Sequence, residues 1–217
     1  MGRLLLIDGL IALAFVGLWY LWFTRYNRHR GLRALRWVEA ACIGEGRIVN
    51  TRWLGPSRLE AHLRFATHWF EHAHVTVRLF PRPVPYQWIL SLCRKQKETL
   101  TFEADLDYVP GFPLEVFRHR WFTHRPESMD HGSRSWAVCR PGPVVFTTRP
   151  QWTQELPPVV NTFAASRGHN LLRVKFRPES PHLAATVALD ALADERAASG
   201  FLSVLRDLAA GASTSRQ

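Results

Sequence analysis

The chain has 217 residues, 47% of them hydrophobic and 21% charged, with a formal net charge of +10. That length suits one domain with room for a full core, and the hydrophobic content excludes a disordered chain. Six arginines set against Asp8 in the first 36 residues carry half of the positive excess. The remainder is too diffuse for the concentrated footprint of a nucleic-acid binder.

LLLIDGLIALAFVGLWYLWF, residues 4–23, opens the chain with a run whose only charge is Asp8. Twenty helical residues cover ~30 Å, the thickness of a bilayer's hydrocarbon core. Asp8 lies near one end of the run, where water and headgroups reach it. Trp19, Tyr20, Trp22, Phe23 and Tyr26 gather at the other end, as an interfacial aromatic belt does. The expectation is a single-pass transmembrane helix over 4–24. A cleavable signal peptide fits poorly, because the apolar run is long and no small-x-small site follows it.

Arg25, Arg28, Arg30, Arg33 and Arg36 come directly after the run. By the positive-inside rule they place residues 25–217 in the cytoplasm, with a very short N-terminus outside. The expected location is a bacterial inner (cytoplasmic) membrane. Cys42, Cys93 and Cys139 form no C-x-x-C pair and are odd in number, which suits a reducing compartment. Leu32, Leu35, Trp37 and Val38 are spaced helically among the arginines. Residues 25–42 therefore read as a basic amphipathic juxtamembrane segment lying along the membrane, its arginines facing anionic headgroups.

From about residue 44 the apolar period shortens to two, and residues 43–211 read as one α+β domain. Leu59, Ala61, Leu63 and Phe65 alternate with polar neighbours, as do Val75, Val77 and Leu79, and Leu100, Phe102, Ala104 and Leu106. Such alternation predicts strands of a mainly antiparallel sheet with one wet face. Further strands are expected near 46–54, 114–121, 134–139, 143–148 and 171–176. FPRPVP (80–85) reads as a rigid connector into a helix over 86–98. The end of the chain reads as helix–strand–helix: LPPVVNTFAASRG as one helix, LLRVKF as the strand, then helical segments from Ser180 to Gly211. Residues 212–217 read as a disordered tail.

HWFEH (68–72) has the H-x-x-E-H spacing in which a helix presents two zinc-binding imidazoles and a catalytic glutamate. Here it falls in about seven residues between two strand patterns, room for a bend and not for a long helix. His68, His72 and His74 are the candidate metal ligands, and Glu71 the candidate base. Glu103, Asp105 and Asp107 share one strand face; their expected role is to decorate a wet surface opposite Arg118 and Arg120. Trp69, Phe70, Trp121 and Phe122 look too apolar for bare loops and would suit a surface docked on another protein or on lipid.

The reading carried forward is a membrane-anchored cytoplasmic docking or assembly protein without catalytic activity. It has no cofactor, and its partners are the lipid bilayer and a membrane protein; nucleic acid is not among them. The alternative is a zinc-dependent hydrolase built on HWFEH, and a further one is an anionic-lipid or nucleic-acid binder using the arginines after the anchor.

Overall fold

The computed structural model describes residues 2–67, 69–110, 113–118, 137–139, 144–148, 161, 163, 171–190, 198 and 200–213. The chain is α+β: a long N-terminal helix, an antiparallel sheet, and a helix at the C-terminal end.

Helix α1, Gly2–Ala41, has 40 residues, which makes it ~60 Å long. It changes environment along its length. Leu10, Ile11, Leu13, Phe15, Leu18, Leu21 and Trp22 are all exposed, whereas Ala34, Leu35, Trp37, Val38, Ala41 and Cys42 are buried. The second set recurs at the three- and four-residue steps that place side chains on one helical face. Residues 6–41 form a helix long and apolar enough to cross a membrane. The sequence suggested that the apolar side of the basic segment faces lipid; in the structure that side is taken by the protein. The segment continues α1 without a break, and its apolar face is buried. Gly31 permits this approach, since a Cβ there would come within 2.7 Å of the Trp53 indole.

The strands are β1 (Gly46–Trp53), β2 (Arg58–Phe65), β3 (Phe70–Arg78), β4 (Thr99–Leu106), β5 (Leu114–Arg118), β6 (Ala137–Cys139), β7 (Val144–Thr148), β8 (Leu171–Phe176) and β9 (Leu183–Ala188). Among the described residues they form one nine-stranded sheet in the order β1-β2-β3-β4-β9-β8-β5-β7-β6. Helix α2 (Pro85–Cys93) interrupts the meander between β3 and β4, and α3 (Phe201–Ser213) closes the chain. Leu59, Ala61, Val75, Val77, Leu100 and Phe102 point to the inner face, under α1 and α3. Trp37 of α1 and Phe201 of α3 meet edge to face, 5.1 Å between ring centroids. Each such fully buried Leu or Phe contributes about 1.5–3 kcal/mol.

Two C-terminal expectations need correction. SPHLAATVAL is not a helix: its Leu183, Ala185 and Val187 face the core from β9, which pairs with both β4 and β8. Pairing on both sides outweighs the helix propensity of its alanines. Gly211 does not end the last helix, which runs to Ser213. The LPPVVNTFAASRG segment lies outside the described residues apart from Asn161 and Phe163, both helical.

The sheet has an entry end, where α1 reaches it, and a far end, where α1 stops. At the entry end Asn27 contacts Pro56 and Phe80, and Leu189 N donates to Glu98 O. At the far end Ala66 N donates to Glu45 O, and Arg177 N to His182 O.

Candidate functional site

HWFEH does not form a helix. Trp69 lies in a turn, and Phe70, Glu71 and His72 already belong to β3; His68 lies outside the described residues. His72 has φ of 46° within an irregularity of the β3–β4 pairing between Glu71 and His74. That left-handed backbone is uncommon for a residue other than glycine. The helical spacing that would set two imidazoles one turn apart is therefore not formed.

The histidines instead meet carboxylates across the sheet. His74 Nε2 lies 2.7 Å from Glu103 Oε2, and His72 Nδ1 lies 3.5 Å from Asp105 Oδ2. The hydrogen bond to Glu103 raises the His74 pKa above its ordinary 6.5, and burial opposes it. The same bond holds Glu103 below the ordinary 4.5. The expected opposition of these acids to Arg118 and Arg120 is not what forms. β4 pairs with β3 and β9, whereas β5, which carries Arg118, pairs with β7 and β8; Arg120 lies outside the described residues. Among the described residues, no group of three His, Cys, Asp or Glu side chains is placed to share an ion.

The open face of the sheet carries a shallow depression of about 250 Å³ lined by Arg78, Thr101, Glu103, Arg173, Lys175 and Arg177, among others. Its deeper charges satisfy one another. Glu115 accepts from Arg173 and lies 3.2 Å from Lys175 Nζ. Burial draws the Lys175 ammonium downward, against the pull of Glu115. These contacts hold the sheet surface together, and Glu103 of the same lining is engaged by His74. The Cys42 thiol is buried, and burial followed by Glu45 pushes it up to about 12, so it is not a nucleophile at neutral pH.

Exposed apolar groups mark the far end. Trp69 precedes β3, and Tyr108 and Val109 follow β4; Phe70 pairs with Leu106, so these two strand ends are adjacent. Ile43, just past α1, is exposed at the same end, as are Trp69, Tyr108 and Val109. Phe70 does not join them. It is 4% exposed and packs against Phe65 and Phe102 at 5.5 and 5.4 Å, which makes it core and removes it as a docking residue. Trp121 and Phe122 lie outside the described residues.

Polar groups are buried at the entry end, a feature absent from the sequence reading. Asn27 is fully buried and donates to the carbonyls of Pro56 (3.0 Å) and Phe80 (2.9 Å). Arg82 Nη1 donates to Asn27 Oδ1 at 3.0 Å and to Glu98 Oε1 at 2.6 Å. Glu98 also accepts from Phe80 N at 3.1 Å and meets Arg30 Nη2 at 3.1 Å. The Arg82 guanidinium lies over Tyr26 and Phe80, 5.0 and 5.1 Å from the ring centroids. Arg30 is thus held by the domain, whereas Arg25, Arg28, Arg33 and Arg36 are exposed. Along the helix axis Arg33 and Arg36 lie ~15 and ~20 Å beyond Phe23, past the headgroup layer of a bilayer that ends there. Arg25 and Arg28 lie only ~3 and ~8 Å beyond it.

No protein-family model matches the chain, and no curated protein matches it either.

Proposed function

We propose that the protein is a non-enzymatic, single-pass membrane protein whose α+β domain docks a membrane-associated protein partner. The domain stands at the cytoplasmic face of a bacterial inner membrane. The supporting observation is the exposure of Trp69, Tyr108 and Val109 at adjacent strand ends, with Ile43 exposed at the same end of the sheet. Ala41 lies ~27 Å from Phe23 along α1, so lipid cannot cover these residues when the helix stands across the bilayer. Protruding Trp and Tyr side chains are the residue types that dominate protein interfaces. The orientation follows from Arg25 and Arg28, which remain exposed directly after the apolar run.

Extraction of the full chain in a gentle detergent tests the reading. The expected result is a stoichiometric partner whose affinity falls about 30-fold in Trp69→Ala/Tyr108→Ala, matching a hot-spot loss of ~2 kcal/mol. Glu71→Gln leaves recovery unchanged, which separates docking from hydrolysis. Purification of the parent chain alone, at full yield and without a partner, overturns the proposal.

A further inference from the structure

We propose that α2 is embedded in the interfacial layer of the same bilayer leaflet from which α1 emerges, so that the protein grips the membrane at two points. The proposal rests on α1 being the anchor, and it adds a second, non-spanning contact that fixes how the domain stands.

Helix α2 is inside out for a helix of a water-facing domain. Its most buried residue is Ser91, 6% exposed, whose hydroxyl donates to Gln87 O at 2.8 Å. Tyr86, Ile89 and Leu92, spaced three apart on another face, are 75%, 59% and 50% exposed. A nine-residue helix in water is stabilised by turning such a stripe onto the core. The depth of α2 is set by α1. Trp88 packs on Trp19 and Phe23, at 6.1 and 5.5 Å between centroids, and both partners belong to the apolar run. Trp19 Nε1 also donates to Arg82 O at 3.2 Å, three residues ahead of α2. The stripe therefore belongs to a helix held against the apolar run of α1, in which Leu18, Leu21 and Trp22 are exposed as well.

That continuity selects lipid as the occupant. The solvent that surrounds Trp22 at this depth surrounds Ile89 as well, and apolar side chains buried ~5–10 Å into the headgroup–acyl boundary bind without spanning. Tyr86 has the amphipathic ring typical of that layer.

The test uses the full chain in vesicles of phosphatidylcholine and phosphatidylglycerol. Leu13→Cys, Ile89→Cys, Tyr86→Cys and Ile43→Cys are each made in a Cys93→Ser/Cys139→Ser background, and each carries an environment-sensitive fluorophore. Cys42 stays, being buried. Lipids bearing a nitroxide on the acyl chain should lower emission about twofold at Leu13, Ile89 and Tyr86 and leave Ile43 unchanged, as expected for side chains inside the acyl boundary. Quenching at Leu13 without quenching at Ile89 and Tyr86 overturns the α2 contact and leaves the anchor standing. No quenching at Leu13 overturns the anchor and the α2 contact together. Protection of Ile89 from both nitroxide lipid and aqueous iodide means that protein covers α2, and that also overturns the proposal.

Discussion

At the entry end of the sheet, Glu98 and Arg82 are buried while Ile89 and Tyr86 face outward; at the far end, His72 and Asp105 meet near water while Phe70 is sealed in the core. One end buries an ion pair and shows the apolar face of α2, and the other follows the ordinary rule except at Ile43, Trp69, Tyr108 and Val109. The difference teaches how the position of α1 is fixed. Burying an ion pair adds little net stability over an apolar contact, because desolvation offsets the attraction. Such a pair is better suited to fixing geometry. Asn27, Arg82, Glu98 and Arg30 bind α1 to two loops and to the start of β4 at one rotation and one height. A slip of α1 by one residue would strip Asn27 and Arg30 of their partners, while Arg82 and Glu98 kept each other.

Removing one member of that cluster is the strongest way to break the comparison. Glu98→Ala leaves Arg82 buried without its carboxylate and should cost about 3–5 kcal/mol, read from thermal unfolding of the detergent-solubilised chain. A loss below about 1 kcal/mol would mean that the entry end is wet and the contrast false. At the far end, neighbours should diverge. Phe70→Ala is expected to cost about 3 kcal/mol as a core truncation, whereas Trp69→Ala should stay within about 0.5 kcal/mol. Equal effects at the two positions would dissolve the division between core and docking surface.

The smallest expected effect is on pH dependence. His74 has a raised pKa when folded, so its contribution is complete below the ordinary 6.5 and is lost as pH rises through the folded value. Glu103 has a lowered one, so its contribution is complete above 4.5 and is lost as pH falls through the folded value. The pair is therefore worth most between those ordinary values. Partial exposure keeps it below about 1 kcal/mol. The melting difference between the parent and His74→Gln should peak in that window and shrink on both sides. A difference independent of pH would mean that His74 acts by packing alone.

Much of this architecture was legible in the residues. The alternation in SRLEAHLRFA and TLTFEADLDY located β2 and β4, and the apolar run located the first half of α1. Periodicity failed where a choice of face or a distant partner decided the outcome. Leu35, Trp37 and Val38 were recognisable as one stripe, but nothing local says whether a stripe meets lipid or a sheet. Helix α2 posed the same problem in reverse, with Ile89 and Leu92 on its outer face. β9 was hidden by its alanines, because its pairing partner β4 lies about 80 residues earlier. Arg30 looked like one of five equivalent cations until Glu98 was placed beside it. Phe70 was misjudged for a simpler reason. The strand begins at Phe70, five residues before its β-branched run starts at Val75.

The meeting of Trp37 with Phe201 has a consequence for biosynthesis. α1 is made before the sheet and α3 after it, yet they cover the same face, and β4 cannot complete its pairing until β9 has been synthesised. Contacts that join the two ends of a chain close slowly, because the intervening loop must be ordered before they form. A ribosome stalled before Leu183 would therefore leave the inner sides of β2, β3 and β4 with α1 as cover but without α3. The nascent chain is then most vulnerable to aggregation and proteolysis while β9 and α3 are still to be synthesised.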